Sequence, residues 1–326
     1  MKKKKRIIFV PQLNVNMRYQ SWWNTEFEIQ FKKYFDEVIV LGKEYLKDNK
    51  NKDIKDNNFS LVDESIELET IQINEYMRLE LKEYDILFMS DLSFPGIFQN
   101  VLFHKKPFKS FAYCHATSLN YEDYYSKDRE IKWPIENTIA NALNGIFLGS
   151  KYNDRKTNFK TNTYVVSLPE PPLNKLLSIE NHRYDDKFLI NKINDIVSVC
   201  RKTNQKIDYD LEDIIKEKYN FIRKNDFSTW DDYFVFLNNS KILLITSKED
   251  TFNYTIIDAL LSDCIPVAPN KLCFPEILPK DYLYNDYNEL EEIIDNILNN
   301  KLKIPKLKCQ NNIDNFYKNI CEIMLT

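Results

Sequence analysis

Glycine is scarce in this chain. Only Gly42, Gly96, Gly145 and Gly149 occur in 326 residues. Backbone positions that need a positive φ must therefore mostly use other residues, Asn first among them. Histidine is scarcer still, with His104, His115 and His182. The six cysteines (Cys114, Cys200, Cys264, Cys273, Cys309 and Cys321) include no C-x-x-C pair, which excludes the common zinc and thiol-redox motifs. Three lie in or beside apolar runs, where a free thiol packs as a small hydrophobe, and a reducing cytoplasm suits them. No apolar run reaches 18 residues, and no apolar stretch of signal-peptide length follows the lysine-rich start. The expectation is a soluble, cytoplasmic protein with no transmembrane segment. A surplus of positive charge is also missing. The net charge of −4 gives no global support for a nucleic-acid-binding face, and the basic clusters at 2–6, 105–109 and 151–160 read as solvated surface.

What is present is apolar material. Hydrophobic residues make up 43% and aromatics 14% of the chain, enough for two cores in two domains of ordinary size. Strand and helix signals alternate, as in α/β folds. Strands are expected at 6–10, 38–41, 85–89, 110–114 and 145–148, with helices at 26–34 and 136–143. Residues 11–24, with Arg18, Tyr19, Trp22 and Trp23, read as an irregular loop, and 49–58 as a polar surface excursion. Residues 164–167 close a first domain. A hinge is expected at 168–186, which holds Pro169, Pro171 and Pro172. Beyond it, strands are expected at 196–199, 242–245 and 265–268, and helices at 211–218, 231–237, 254–262, 290–298 and 313–325.

The stretch 242–275 is the most informative. An apolar run, 242–245, leads into a polar turn at 247–253, then a helix, then a second strand. Such a βαβ unit puts a helix N-terminus at the carboxyl edge of a parallel sheet, where ligands bind in open α/β folds. Backbone N–H groups there favour an anion such as a diphosphate. Asp250 and Asp258 flank the turn with seven residues between them. Carboxylates oppose a diphosphate, so these two suit hydroxyl groups. Anion donors beside hydroxyl acceptors describe a nucleotide-sugar site. Glu249 is the rival for the first acid. The bland alternative for both acids is a pair of surface carboxylates near a helix start, where the dipole favours them.

At these residues the chain resembles the retaining glycosyltransferases of family four, which have the GT-B fold. Their donor-binding signature is matched by Asp250, Phe252-Asn253, Asp258 and Pro266-Val267, with Asp for the usual Glu twice and Asn253 for the glycine. Arg201 and Lys206 keep the spacing of the family's Arg and Lys, which meet the donor diphosphate; Cys200 stands where a glycine is usual. His115, after the run 111–114, matches a His that faces the donor sugar. A structural histidine is the alternative reading. A narrower likeness, about 60 residues in the C-terminal half, is to the tRNA-queuosine mannosyltransferases, carried by Asp232-Tyr233-Phe234 and the run from Pro269-Asn270 to Pro275-Glu276.

The resemblance implies two Rossmann-like parallel-sheet domains facing across a cleft. Residues 1–168 form the acceptor-side domain and 187–305 the nucleotide-sugar domain, and a helix in 306–326 packs back on the first. It implies transfer of a hexose from a UDP- or GDP-sugar to an acceptor hydroxyl with retention, and no cofactor, no metal and no obligate protein partner. Catalysis then involves His115, Arg201, Lys206 and Asp250, and donor binding involves Asn253, Tyr254, Thr255 and Asp258. Arg18, Trp22 and Trp23 are acceptor-side candidates, the tryptophans alternatively being core plugs. The acceptor is either a modified base in tRNA or DNA, or a glycan or surface-polymer precursor. A non-catalytic binding module on the same fold is the remaining alternative.

Overall fold

The computed structural model describes residues 4–15, 17–48, 58–92, 96–120, 128–178, 192–200, 206–308 and 313–326. The chain divides into two compact units. One holds Met1–Leu119, Tyr125–Ser167 and Asn311–Thr326, the other Asn120–Tyr124 and Leu168–Gln310.

The first unit is built on β1 (Arg6–Val10), β2 (Glu37–Val40), β3 (Asp85–Met89), β4 (Lys109–Cys114), β5 (Gly145–Leu148) and β6 (Thr163–Val165). They form one parallel sheet in the order β2-β1-β3-β4-β5-β6. β1, β3 and β5 are buried along their whole length, which is why they read as unbroken apolar runs rather than alternating ones. Helices α1 (Gln20–Tyr34), α2 (Lys43–Asp48), α3 (Asn58–Arg78), α4 (Arg129–Ala142) and α5 (Lys151–Thr157) connect the strands. The C-terminal helix, Ile313–Leu325, packs on α1. Trp23 meets Phe316 at 5.2 Å and Phe27 meets Tyr317 edge-on at 4.8 Å, and Gln30 donates to Asp314 at 3.1 Å. Arg6 and Asp85 form a buried bidentate pair, 2.7 and 2.5 Å, that ties β1 to β3.

Two local readings are corrected. The segment read as a loop up to residue 24 is already helical from Gln20, so Trp22 and Trp23 lie in the first turn of α1. No side chain caps this helix, and without a capping residue its start has no sequence signal. The long helix α3 was not expected, and most of 49–58 lies outside the described residues. Gly42 closes the turn after β2 at φ +71°, and a Cβ built there falls 2.5 Å from Leu68 Cδ1 and 3.1 Å from Gln72 Cγ, both on α3. Gly42→Ala is expected to cost about 2 kcal/mol or more, from backbone strain plus overpacking. A urea titration reads this, and an unchanged midpoint would contradict it.

The second unit has β7 (Asn194–Ser198), β8 (Phe221–Arg223), β9 (Ser240–Leu244), β10 (Ile265–Pro269) and β11 (Leu283–Tyr284). They are all parallel, in the order β11-β10-β9-β7-β8. Its helices are α6 (Leu173–Leu176), α7 (Tyr209–Lys218), α8 (Trp230–Asn238), α9 (Tyr254–Leu261), α10 (Phe274–Ile277) and α11 (Tyr287–Leu298). Asp208, Thr229 and Asp286 cap α7, α8 and α11 by accepting from the third residue on, the standard N-cap bond. In both sheets the first strand lies between the second and third. The connections therefore diverge at that point and leave a crevice beyond the carboxyl ends, the usual ligand position in such sheets. Among the described residues no helix is long and apolar enough to cross a membrane.

Candidate functional site

In the second unit the diverging strands are β7 and β9. The chain leaving β7 passes Val199 and Cys200, and Arg201 then lies outside the described residues. It returns at Lys206 alongside the chain leaving β9. Lys248 N–H donates to Lys206 O at 2.8 Å and Asp208 N–H to Thr246 O at 3.0 Å, and Ile207 and Ser247 form an antiparallel bridge. This antiparallel clasp fixes the backbone of Lys206 against the acid turn. Beneath it, Glu212 of α7 takes a 2.7 Å hydrogen bond from Arg223 Nε and a 2.6 Å one from the Thr246 hydroxyl. Arg223 also reaches Cys200 O at 3.1 Å. One buried carboxylate and one guanidinium thus tie the ends of β7, β8 and β9 together.

The turn itself delivers two acids differently. Glu249 is only 5% exposed and accepts from Asn120 Nδ2 at 3.3 Å. Asp250 is half-buried and accepts from Asn253 Nδ2 at 2.8 Å, while Asn253 Oδ1 accepts from the Thr255 hydroxyl. The Asn253 side chain is therefore spent on the loop and leaves the amides of the first turn of α9 uncapped by it. Its backbone is extended, φ −113° and ψ 103°, so the left-handed conformation that its place in a glycine position suggested is not used. One turn further along, Asp258 is buried, and its Oδ2 accepts from Tyr233 OH of α8 at 2.9 Å. Burial pushes the Asp258 carboxyl up to about 7, against a downward pull from the Tyr233 hydrogen bond. Cys200 is pushed up to about 11, mainly by burial and then by the charge of Asp250.

In the first unit His115 follows β4. Its ring lies 4.6 Å from both Tyr19 and Tyr113 and 5.3 Å from Trp23. Burial there lowers its pKa to about 3, against a hydrogen bond with the Ser90 backbone, so the imidazole is neutral at physiological pH. The next loop is anchored on α4, where Glu136 accepts from the Ser118 amide at 2.9 Å and its hydroxyl at 2.6 Å.

No protein-family model matches the chain. The tRNA-queuosine alpha-mannosyltransferase of Drosophila melanogaster is 31% identical over 94 residues, a local match that covers 29% of this chain and 25% of that protein. Solved structures are similar over nearly the whole chain. Sucrose-phosphate synthase from Thermosynechococcus elongatus superposes with a TM-score of 0.60 at 11% identity, covering 98% of this chain and 95% of that one. Anabaena HepE in complex with UDP and glucose gives 0.61 at 13%, covering 98% and 99%. The trehalose-phosphate synthase of Burkholderia xenovorans in complex with glucose-6-phosphate gives 0.57 at 9%, covering 99% and 100%. The fold is GT-B.

Within this GT-B fold the second unit brings Lys206, Asp250, Asn253, Tyr254, Thr255 and Asp258 to the carboxyl edge of one sheet and the start of one helix. His115, Arg18, Trp22 and Trp23 belong to the first unit. Arg18 sits partly exposed in the turn before α1. Trp22 and Trp23 are 4% and 0% exposed, which favours their reading as core plugs over an acceptor platform. Of the other histidines, His104 is exposed and His182 lies outside the described residues. Sequence reasoning missed the Glu212–Arg223–Thr246 tie and the Tyr233–Asp258 pair. Tyr233 stands within an Asp-Tyr-Phe run, but nothing in that run says which residue it meets. Among the described residues no group of three or more His, Cys, Asp or Glu stands together in a way that could hold a metal ion.

Proposed function

We propose that this protein is a glycosyltransferase that moves a hexose from a nucleoside diphosphate sugar to an acceptor hydroxyl with retention. One arrangement supports the reading: the backbone of Lys206, the turn that carries Asp250, and the N-terminal part of α9 with Asp258 all lie at the carboxyl edge of the second sheet. In this reading Lys206, with Arg201 and the first amides of α9, stabilises the charge that builds on the leaving diphosphate. Asp258 takes the ribose hydroxyls and Asp250 the hydroxyls of the sugar. His115 is the group for the transferred sugar, on the resemblance alone, and its neutral state suits hydroxyl recognition rather than charge pairing. Retention follows the family-four likeness, with front-face displacement as the working mechanism. A UDP-sugar donor is favoured by the UDP and glucose bound in the similar HepE structure.

For the acceptor, the local match to a protein named for mannosylating queuosine in tRNA favours a modified nucleobase. Acceptor binding that weakens steeply with salt is expected on that reading; a flat salt response would point to a glycan.

The donor reading is tested by thermal unfolding with UDP, GDP and their hexose conjugates. A true donor at 100 times its Kd adds about 2.7 kcal/mol of stability. Asp258→Asn is expected to weaken, without abolishing, the shift from the free diphosphate and the conjugate alike, and Asp250→Asn to remove only the extra shift from the sugar. No shift with any nucleotide would sink the assignment.

A further inference from the structure

Tyr233 lies outside the donor-site signature, yet its geometry is specific. It is 7% exposed and its ring is held edge-on by Phe227 at 5.2 Å, Trp230 at 5.7 Å and Phe234 at 5.3 Å, with interplanar angles of 81°, 79° and 79°. Three perpendicular aromatic contacts leave the ring little rotational freedom. Its hydroxyl is thereby aimed at Asp258 Oδ2, 2.9 Å away on the neighbouring helix. Among the described residues, Tyr233 OH is the hydrogen-bond donor seen on the Asp258 carboxylate.

We infer that Tyr233 is a positioning residue for the donor site: its hydroxyl occupies Oδ2, fixes the carboxyl plane and reserves Oδ1 for the hydroxyl pair of a nucleoside. The inference rests on the nucleotide-sugar reading and adds to it a residue that never touches the ligand. The physical logic has two parts. A carboxylate accepts through several lone-pair sites, and filling those on one oxygen with a rigid donor selects one orientation of the other. A hydrogen bond to the carboxylate also favours its charged form against burial, and the charged form is the stronger acceptor for ligand hydroxyls. Among the described residues, the other titratable groups that act on Tyr233 are Cys200, which follows β7, and Cys264 before β10, and on Asp258 the group that acts is Tyr233. Burial lifts these thiols to about 11 and about 12, so both stay neutral while Asp258 titrates. Tyr233 itself is raised well above the ordinary phenol value by burial and remains a donor throughout.

The test is calorimetric titration of UDP and GDP into the full chain at pH 6 to 9, for wild type, Tyr233→Phe, Asp258→Asn and the double variant. Affinity of the wild type is expected to rise with pH as Asp258 ionises. Tyr233→Phe should move that rise upward by about one pH unit, which is about fivefold weaker binding at pH 7 and convergence with wild type near pH 9. Adding Tyr233→Phe to Asp258→Asn should change nothing further, because the group it acts through is gone. A thermal melt of Tyr233→Phe separates packing loss from positioning: a lower Tm with an unmoved pH profile overturns the inference, as does additivity in the double variant. If wild type binds neither diphosphate at any pH, the donor-site reading itself fails and this role falls with it.

Discussion

Lys206→Ala is expected to lower turnover of a nucleotide sugar by about 10²–10³-fold, a loss of about 2.7–4 kcal/mol in the transition state. The diphosphate gains a further negative charge as the glycosidic bond breaks, and the backbone of Lys206 is clasped beside the acid turn, Lys206 O accepting from Lys248 N–H at 2.8 Å. The clasp uses the main chain, so truncating the side chain leaves the Ile207–Ser247 bridge intact. The variant should therefore fold normally and fail in kcat rather than in stability. Lys206→Arg keeps the charge on a different geometry and should recover part of the rate. Donor hydrolysis or transfer under single-turnover conditions reads both variants. A wild-type rate from Lys206→Ala would remove this lysine from the site.

Trp23→Ala should destabilise the first unit by about 3–5 kcal/mol. Trp23 has no exposed surface and packs against four rings: Phe27 of its own helix at 4.9 Å, Tyr113 of β4 at 5.3 Å, His115 just after β4 at 5.3 Å and Phe316 of the C-terminal helix at 5.2 Å. Removing it opens a cavity that rings on separate elements cannot jointly close. Urea unfolding followed by far-UV circular dichroism is the measurement. A chain with two units need not unfold in one step, so the expected result is a shifted transition for one unit while the other is unmoved. Trp23→Phe should cost far less. A Trp23→Ala loss below 1 kcal/mol would mean that the C-terminal helix does not dock on this ring.

The two central questions, which strands form and which side chains meet, were legible to different degrees. β1, β3, β4, β5, β9 and β10 are parallel strands buried on both faces, so each appears in the sequence as a continuous apolar run. The short edge strand β8 is half-buried throughout and carries no such run. α3 was hidden for a different reason. Its buried face includes Ser65, Leu68, Gln72 and Tyr76, so half of the helical stripe is polar. Gln72 earns its place by donating to Pro11 O at 2.8 Å, a partner 61 residues away that no local period announces. α5 is similar, since its buried residues are Asn153 and Thr157. The helix over Ile313–Leu325 was expected over the same residues because its apolar face is regular.

For the site, the residue types and spacing in 247–258 determined a turn, a helix start and two acids, because those signals are local in the chain. Tertiary structure alone decided how Glu249 and Asp258 are held. Asp250 is tied to Asn253 within its own turn, Glu249 to Asn120 at a separation of 129 residues, and Asp258 to Tyr233 across two helices. Burial, and with it the raised pKa of Asp258 and the lowered pKa of His115, depends on what the fold stacks around a group. A sequence states which groups can ionise; the low dielectric and the rigid neighbours that set their charge exist only once distant segments have packed.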